Sequence, residues 1–285
     1  MADAECGWSD QYSEMISRNI GLLTLEQQER LRSSKAAVLG VGGLGGTIFE
    51  VLVRSGVGRF AIVDRDAFDP TNMNRQIFAN RQTLGKRKID VAAEWARAVN
   101  TDVELGAFDR VGEDNIDDIL QGADVAILAI DSLAPCVIAS RKCRQLGIPL
   151  VEGWALPYEN VRVYTRDTPT LEESYGLPTQ GRQIADIPDE EFRTIQTALL
   201  LGLGKIEGVR DFYPDAAIQK IRQGHITSFA PMVWLTAVLM ATEAIKVLLN
   251  WGRLALAPDF ALYDPFQHRI PRVSGLLRFT HGAGI

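Results

Sequence analysis

The run GVGGLG at 40–45 follows directly on an apolar string and leads into residues 47–54, whose apolar positions recur at helical spacing. Few local patterns limit a fold more. The first glycine permits a tight turn, the second lets a ligand approach the backbone, and the last lets helix and strand pack closely. The amides at the helix start then point at an anion. A chain carrying this turn between a strand and a helix is expected to build a parallel sheet with helices on its faces.

The rest of the first half repeats the alternation. Residues 36–41, 59–63, 103–108, 125–130 and 148–151 read as buried strands; residues 85–99, 115–120 and 136–146 read as helices between them. No repeat of fixed period appears. Beyond Gly153 the rhythm changes: 161–164 reads as a strand, 167–189 as a surface excursion without period, and 190–203 and 215–221 as helices. A stretch from Pro231 to Leu249 is almost long enough to cross a bilayer, but Glu243 and Lys246 lie inside it, so it is expected to be a core helix. Residues 260–269 are expected to form a closing edge strand. The fold class predicted is therefore α/β: a Rossmann-like, doubly wound, mostly parallel sheet with an inserted crossover excursion and a C-terminal core helix. Residues 1–30 are set apart as an N-terminal helical segment, and 31–285 as one nucleotide-binding domain whose excursion covers about 155–225.

Asp64 ends the second strand nineteen residues after Gly45, where a carboxylate accepts hydrogen bonds from ribose hydroxyls. Up to that point an NAD-dependent oxidoreductase accounts for the chain equally well. The next block favours another ligand. DRD at 64–66 leads to NMNRQ at 72–76 and to Lys88 in GKRK. A diphosphate needs little beyond the glycine turn, whereas two fixed cations, Arg75 and Lys88, suit a triphosphate whose charge must be neutralised during transfer. Asp131 follows the strand VAILAI, at the edge where open parallel sheets place ligands, and a carboxylate there suits magnesium beside phosphate.

With these residues the sequence resembles the ThiF/MoeB/HesA family, bacterial relatives of ubiquitin-activating enzymes. The resemblance runs from about residue 13 to 151 and resumes at 226–249, and rests on GVGGLG, DRD, NMNRQ, the GKRK lysine, Asp131 and ATEAIK in the last helix. It implies ATP and Mg²⁺ as the ligands, and adenylation of a carboxylate at the C-terminus of a ubiquitin-like or sulfur-carrier protein, on a peptide or on a small group, with pyrophosphate released. It implies nucleotide-binding roles for Gly40, Gly42, Gly43, Gly45, Asp64, Asp66, Asn72, Arg75, Lys88 and Val111. Catalytic roles fall to Arg75, Lys88 and Asp131, with Asp131 as the metal ligand, and to Arg18, which in family dimers enters the partner's site. A homodimer is implied as well.

Where the sequence departs from the family, the expectations narrow. No cysteine follows Cys143, so the paired CxxC motifs of zinc-containing relatives are absent and no zinc is expected. The crossover excursion has no cysteine to carry a thioester. One zinc-free relative activates the threonylcarbamoyl group of a modified tRNA, which keeps a dehydratase of that kind as an alternative. A NAD-dependent oxidoreductase and a catalytically silent nucleotide-binding interaction protein remain the alternatives of other classes. With 30 basic against 36 acidic residues the net charge is −6, which disfavours nucleic acid other than tRNA. Three cysteines and no signal-like N-terminus suggest a cytoplasmic protein without a membrane anchor.

Overall fold

Short apolar runs become the interior of an eight-stranded sheet ordered β3-β2-β1-β4-β5-β6-β7-β8. The computed structural model describes residues 7–154, 159–203, 215–223, 227–265, 268 and 272–273. Strands β1 (Lys35–Leu39), β2 (Arg59–Val63), β3 (Glu104–Phe108), β4 (Val125–Leu128) and β5 (Leu150–Glu152) are parallel. Strands β6 (Glu159–Tyr164), β7 (Phe260–Tyr263) and β8 (Arg272–Val273) continue the sheet antiparallel. The expected closing strand at 260–269 is thus shorter. It is also internal, because the two-residue β8 pairs with its outer side.

Strand alternation divides the core into two layers. Val38, Ile62, Ile127 and Val151 face the helices α3 (Gly43–Arg54), α4 (Lys88–Val99) and α10 (Ala230–Leu249). Leu39, Val63, Leu128 and Leu150 face α5 (Ile116–Leu120), α6 (Leu133–Leu146), α7 (Leu171–Tyr175) and α8 (Asp189–Leu203). A further helix, α9, spans Asp215–Arg222. This is the doubly wound arrangement expected. The strand order reverses between the paired neighbours β1 and β4, and that reversal is where open sheets bind ligands.

The N-terminal helices α1 (Asp10–Ile16) and α2 (Leu25–Ser33) sit at the far end of α3. The Tyr12 hydroxyl donates to the Gly56 carbonyl at 2.7 Å, and Gln28 bridges Tyr12 and Ser55. The apolar length of α10 is used inside the protein: Ala237, Met240, Ala241 and Ala244 are buried in the core. Glu243 pairs with Lys246 and accepts the Ala255 amide at 3.1 Å.

The region 167–189 departs from the expected surface excursion. A capping box, with Thr170 accepting from the Glu173 amide and Glu173 accepting in return, nucleates α7. Leu171, Tyr175, Leu177 and Ile187 then enter the core. Charge anchors the region as well: Arg141 of α6 forms a bidentate pair with Glu172 at 2.8 Å, and Thr179 donates to the same carboxylate.

Candidate active site

Two glycines of the turn are imposed by backbone packing, a third lies tight against the Val233 side chain, and one leaves space. Gly40 has φ +100°, and a Cβ there would lie 2.4 Å from the Ala129 carbonyl oxygen; one on Gly45 would lie 1.7 Å from the Gly40 oxygen. These two let β1, β4 and α3 approach one another. Gly42 and Gly43 are half-buried instead. A Cβ on Gly42 would meet only the Gln76 side chain, at 3.6 Å. Both lie where α3 begins, with Gly42 as a cap that makes no side-chain bond to the first amides. Those amides and the helix dipole form an anion site.

Asp64 closes the turn from below. Its Oδ2 accepts the Val41 amide at 3.0 Å and its Oδ1 the Asp66 amide at 3.0 Å. Lys88, buried at the start of α4, places Nζ 3.0 Å from Asp66 Oδ2 and 3.9 Å from Asp64 Oδ1. Asp64, Asp66 and Lys88 therefore form one unit beside the glycine turn, with Asp66 exposed toward solvent.

The NMNRQ block is a loop sprung from a 3-10 turn at Pro70–Asn72. Asn72 is buried, and its amide donates to Asp69 Oδ2 at 2.9 Å and Thr71 Oγ1 at 3.5 Å. The Asp69 bond, with the Asp69 amide donating back to Asn72 Oδ1 at 3.4 Å, makes Asn72 a brace of this loop. The Thr71 hydroxyl and amide, then Asn72 and Lys88, hold the Asp69 carboxyl below its usual range. Arg75 donates to the Thr71 carbonyl at 3.0 Å and to Asn74 Oδ1 at 2.8 Å. Among the described residues it has no carboxylate partner, and its stem lies 3.5 Å from where a Cβ on Gly43 would be. This is a half-exposed cation held beside Gly43 at the start of α3.

The start of α10 fixes that loop. The Trp234 indole donates to the Arg75 carbonyl at 2.8 Å, and Asn74 donates to the Ser228 carbonyl at 3.1 Å. Val233 faces Gly43. Gln76 is buried, with no partner for its Oε1. Gln76 closes the NMNRQ motif, whereas no motif marks Trp234, which borders the same turn.

Asp131 emerges beyond β4, across the strand reversal from the glycine turn. Its carboxylate is exposed and makes no hydrogen bond or ion pair among the described residues. One free carboxylate beside an anion site fits magnesium, which takes one or two carboxylates and completes its shell with phosphate and water. Val111 is buried with Leu128 and Leu133 in the apolar layer beneath that edge.

Arg18 is the exception to this convergence. It is exposed after α1, and α1 docks on Gly56 beyond the C-terminal end of α3. The twelve residues of α3 separate it from the glycine turn, about 18 Å at 1.5 Å per residue. Within one chain Arg18 does not join the site.

Thiol chemistry is disfavoured here. Cys136 and Cys143 are buried, and burial pushes both thiols up, Cys143 to about 12. Cys6 lies outside the described residues.

Residues 16–278 match the ThiF family. The chain belongs to that family. It is 35% identical to the SAMP-activating enzyme E1 of Haloferax volcanii over 47% of this chain and 50% of that protein, so the match spans about half of the relative's length. It is 28% identical to the sulfur carrier protein adenylyltransferase of Thermus thermophilus over 90% of this chain and 83% of that one. The crystal structure of E. coli MccB with ATP superposes with a TM-score of 0.64 at 17% identity, covering 95% of this chain and 73% of that one. That likeness is one of fold.

Proposed function

We propose that this ThiF-family protein is an ATP-dependent adenylyltransferase that activates a carboxylate and releases pyrophosphate. The observation that carries the reading is Arg75, a cation without an acidic partner among the described residues, held beside Gly43 at the start of α3. Lys88 stands on the other side of the turn, tied to Asp66.

A carboxylate oxygen of the acceptor attacks the α-phosphorus of ATP. The bond from that phosphorus to the oxygen bridging to the β-phosphate breaks, pyrophosphate leaves with the electron pair, and an acyl adenylate remains. The α3 amides and Gly42–Gly43 hold the phosphates, and Asp64 and Asp66 face the ribose. Arg75 and Lys88 stabilise the charge that moves onto the leaving group, so positioning and electrostatics supply the rate. The acceptor is ionised at neutral pH and needs no general base. Asp131 would hold Mg²⁺, which neutralises the β- and γ-phosphates when bound.

The acceptor in this reading is the C-terminal carboxylate of a small ubiquitin-like or sulfur-carrier protein or of a peptide. The Thermus and Haloferax relatives support it, and the buried thiols support an adenylate that leaves without an enzyme thioester. The protein works in the cytoplasm as a homodimer. Phe229, Trp234, Leu235 and Val238 expose apolar surface along α10, with Met73 and Ile77 on the adjoining loop; a second copy covering this face would also supply Arg18 in trans. ATP–pyrophosphate exchange tests the activity: exchange that requires Mg²⁺ and rises with a carrier-protein or peptide acceptor is expected. No binding of ATP in the presence of Mg²⁺ overturns it.

A further inference from the structure

The first helical amide after Asp131 lacks a local cap. Ser132 is the N-cap of α6, yet its side chain makes no capping bond, and such an end leaves amides that need partners. The partner comes from 63 residues away: Leu133 N–H donates to Gln196 Oε1 at 3.2 Å. The other end of the same amide, Nε2, donates to the Asp131 carbonyl. Gln196 therefore spans the Asp131–Leu133 loop with both its acceptor and its donor, and the polarity of the two bonds fixes the orientation of its amide.

Gln196 lies on α8, within the crossover segment between β6 and α10. Its neighbours Ile195 and Leu199 are buried in the layer that contains Leu133 and Val137 of α6. Among the described residues, the other side-chain bond to this loop's backbone is a long one, from Cys136 Sγ to the Ile130 carbonyl at 3.5 Å. The first half of the chain thus builds β4 and the glycine turn but leaves the Asp131 loop to be braced by the crossover.

We infer that Gln196 is a positioning residue: it holds Asp131 in the orientation that places its carboxylate toward the phosphates, and so couples the crossover segment to the metal-binding edge of the nucleotide site. The inference rests on the adenylation reading for what Asp131 does, and on the two hydrogen bonds for how it is held. A shift of α8 when an acceptor docks against the crossover would reach Asp131 through this one amide.

The test compares Gln196→Met, which keeps length but removes both bonds, with Gln196→Glu, which removes the donor and sets a carboxylate against the Asp131 carbonyl. Thr197→Ala on the same helix is the control, since among the described residues the Thr197 hydroxyl bonds within α8, to the Arg193 carbonyl. In the nucleotide-free protein, hydrogen exchange of the Ser132, Leu133 and Ala134 amides is expected to quicken about tenfold in Gln196→Met and not in the control; Gln196→Glu, which keeps an acceptor for the Leu133 amide, is read by its Mg²⁺ demand. By calorimetry, the Mg²⁺ concentration for half-maximal tight ATP binding is expected to rise about tenfold, with metal-free ATP affinity unchanged. Faster exchange without a change in Mg²⁺ demand would reduce Gln196 to a helix cap and overturn the inference, as would unchanged exchange. Wild-type protein that binds no ATP with Mg²⁺ overturns the adenylation reading itself, whatever the exchange shows.

Discussion

Arg75 and Arg162 show the two uses this chain makes of a guanidinium. Arg162, on β6, is 1% exposed, bonded through Nε to Glu152 at 2.8 Å and enclosed by the rings of Tyr164, Tyr175 and Phe260. Arg75 stands half-exposed on a loop, its guanidinium bonded, among the described residues, to that loop's own carbonyl and amide oxygens. The crossover side of the molecule consumes its charges internally: Arg141 with Glu172 and Arg182 with Glu191 follow the same habit. The edge around the strand reversal keeps Arg75 and Asp131 unspent. A charge already matched holds the fold; a charge left over beside open backbone is available to a ligand.

The sharpest way to break that contrast is to remove each arginine. Arg162→Ala leaves Glu152 buried without its cation and is expected to cost about 3–5 kcal/mol of stability by chemical denaturation. Arg75→Ala is expected to lower pyrophosphate exchange by about 10²–10³-fold while the melting temperature moves by no more than a few degrees. An equal loss of stability in both variants would erase the distinction.

The glycines sharpen it at smaller scale. Gly45→Ala pushes a methyl group into the Gly40 carbonyl and is expected to cost about 1–3 kcal/mol in thermal unfolding. Gly42→Ala meets only ordinary contact. It should fold like the wild type and weaken ATP binding by about tenfold in calorimetry, the scale of one hydrogen bond to a charged group.

The last test concerns a buried acid without a cation. Among the described residues Glu159 on β6 has no side-chain partner for either carboxylate oxygen, and burial, then Asp264, raises its carboxyl from 4.5 to about 7. The native state therefore holds a proton that the unfolded chain releases. The stability this group contributes is present in full below pH 4.5 and is lost as pH rises through about 7. Melting curves of Glu159→Gln across that window should fall less steeply than those of the wild type; identical slopes would remove Glu159 from the account.

Much of the nucleotide edge could be read from residues because sterics and periodicity fix it. Residues 59–63 are a strand in sequence pattern and in structure, and Gly40 and Gly45 are glycines because backbone lies against them. Lys88 and Asp131 fall beside the turn since strand ends in such a sheet converge there. Within the excursion the helices at 190–203 and 215–221 were legible by period and are α8 and α9, whereas 167–189 offered only a capping box, because α7 has five residues, too few to display a period. Gln196 gave no local signal: its role depends on α8 meeting α6 across 63 residues. The engagement of Asn72 by Asp69 was visible in principle as an Asp three residues before an Asn, a pattern of turns.

The ties from Ser228, Val233 and Trp234 to Asn74, Gly43 and Arg75 carry a consequence for biosynthesis. The glycine turn leaves the ribosome early, but the loop bearing Arg75 gains its supports only when α10 has emerged. Until α10 has been made, a nascent chain therefore has the glycine turn but not the supports that set Arg75 beside it.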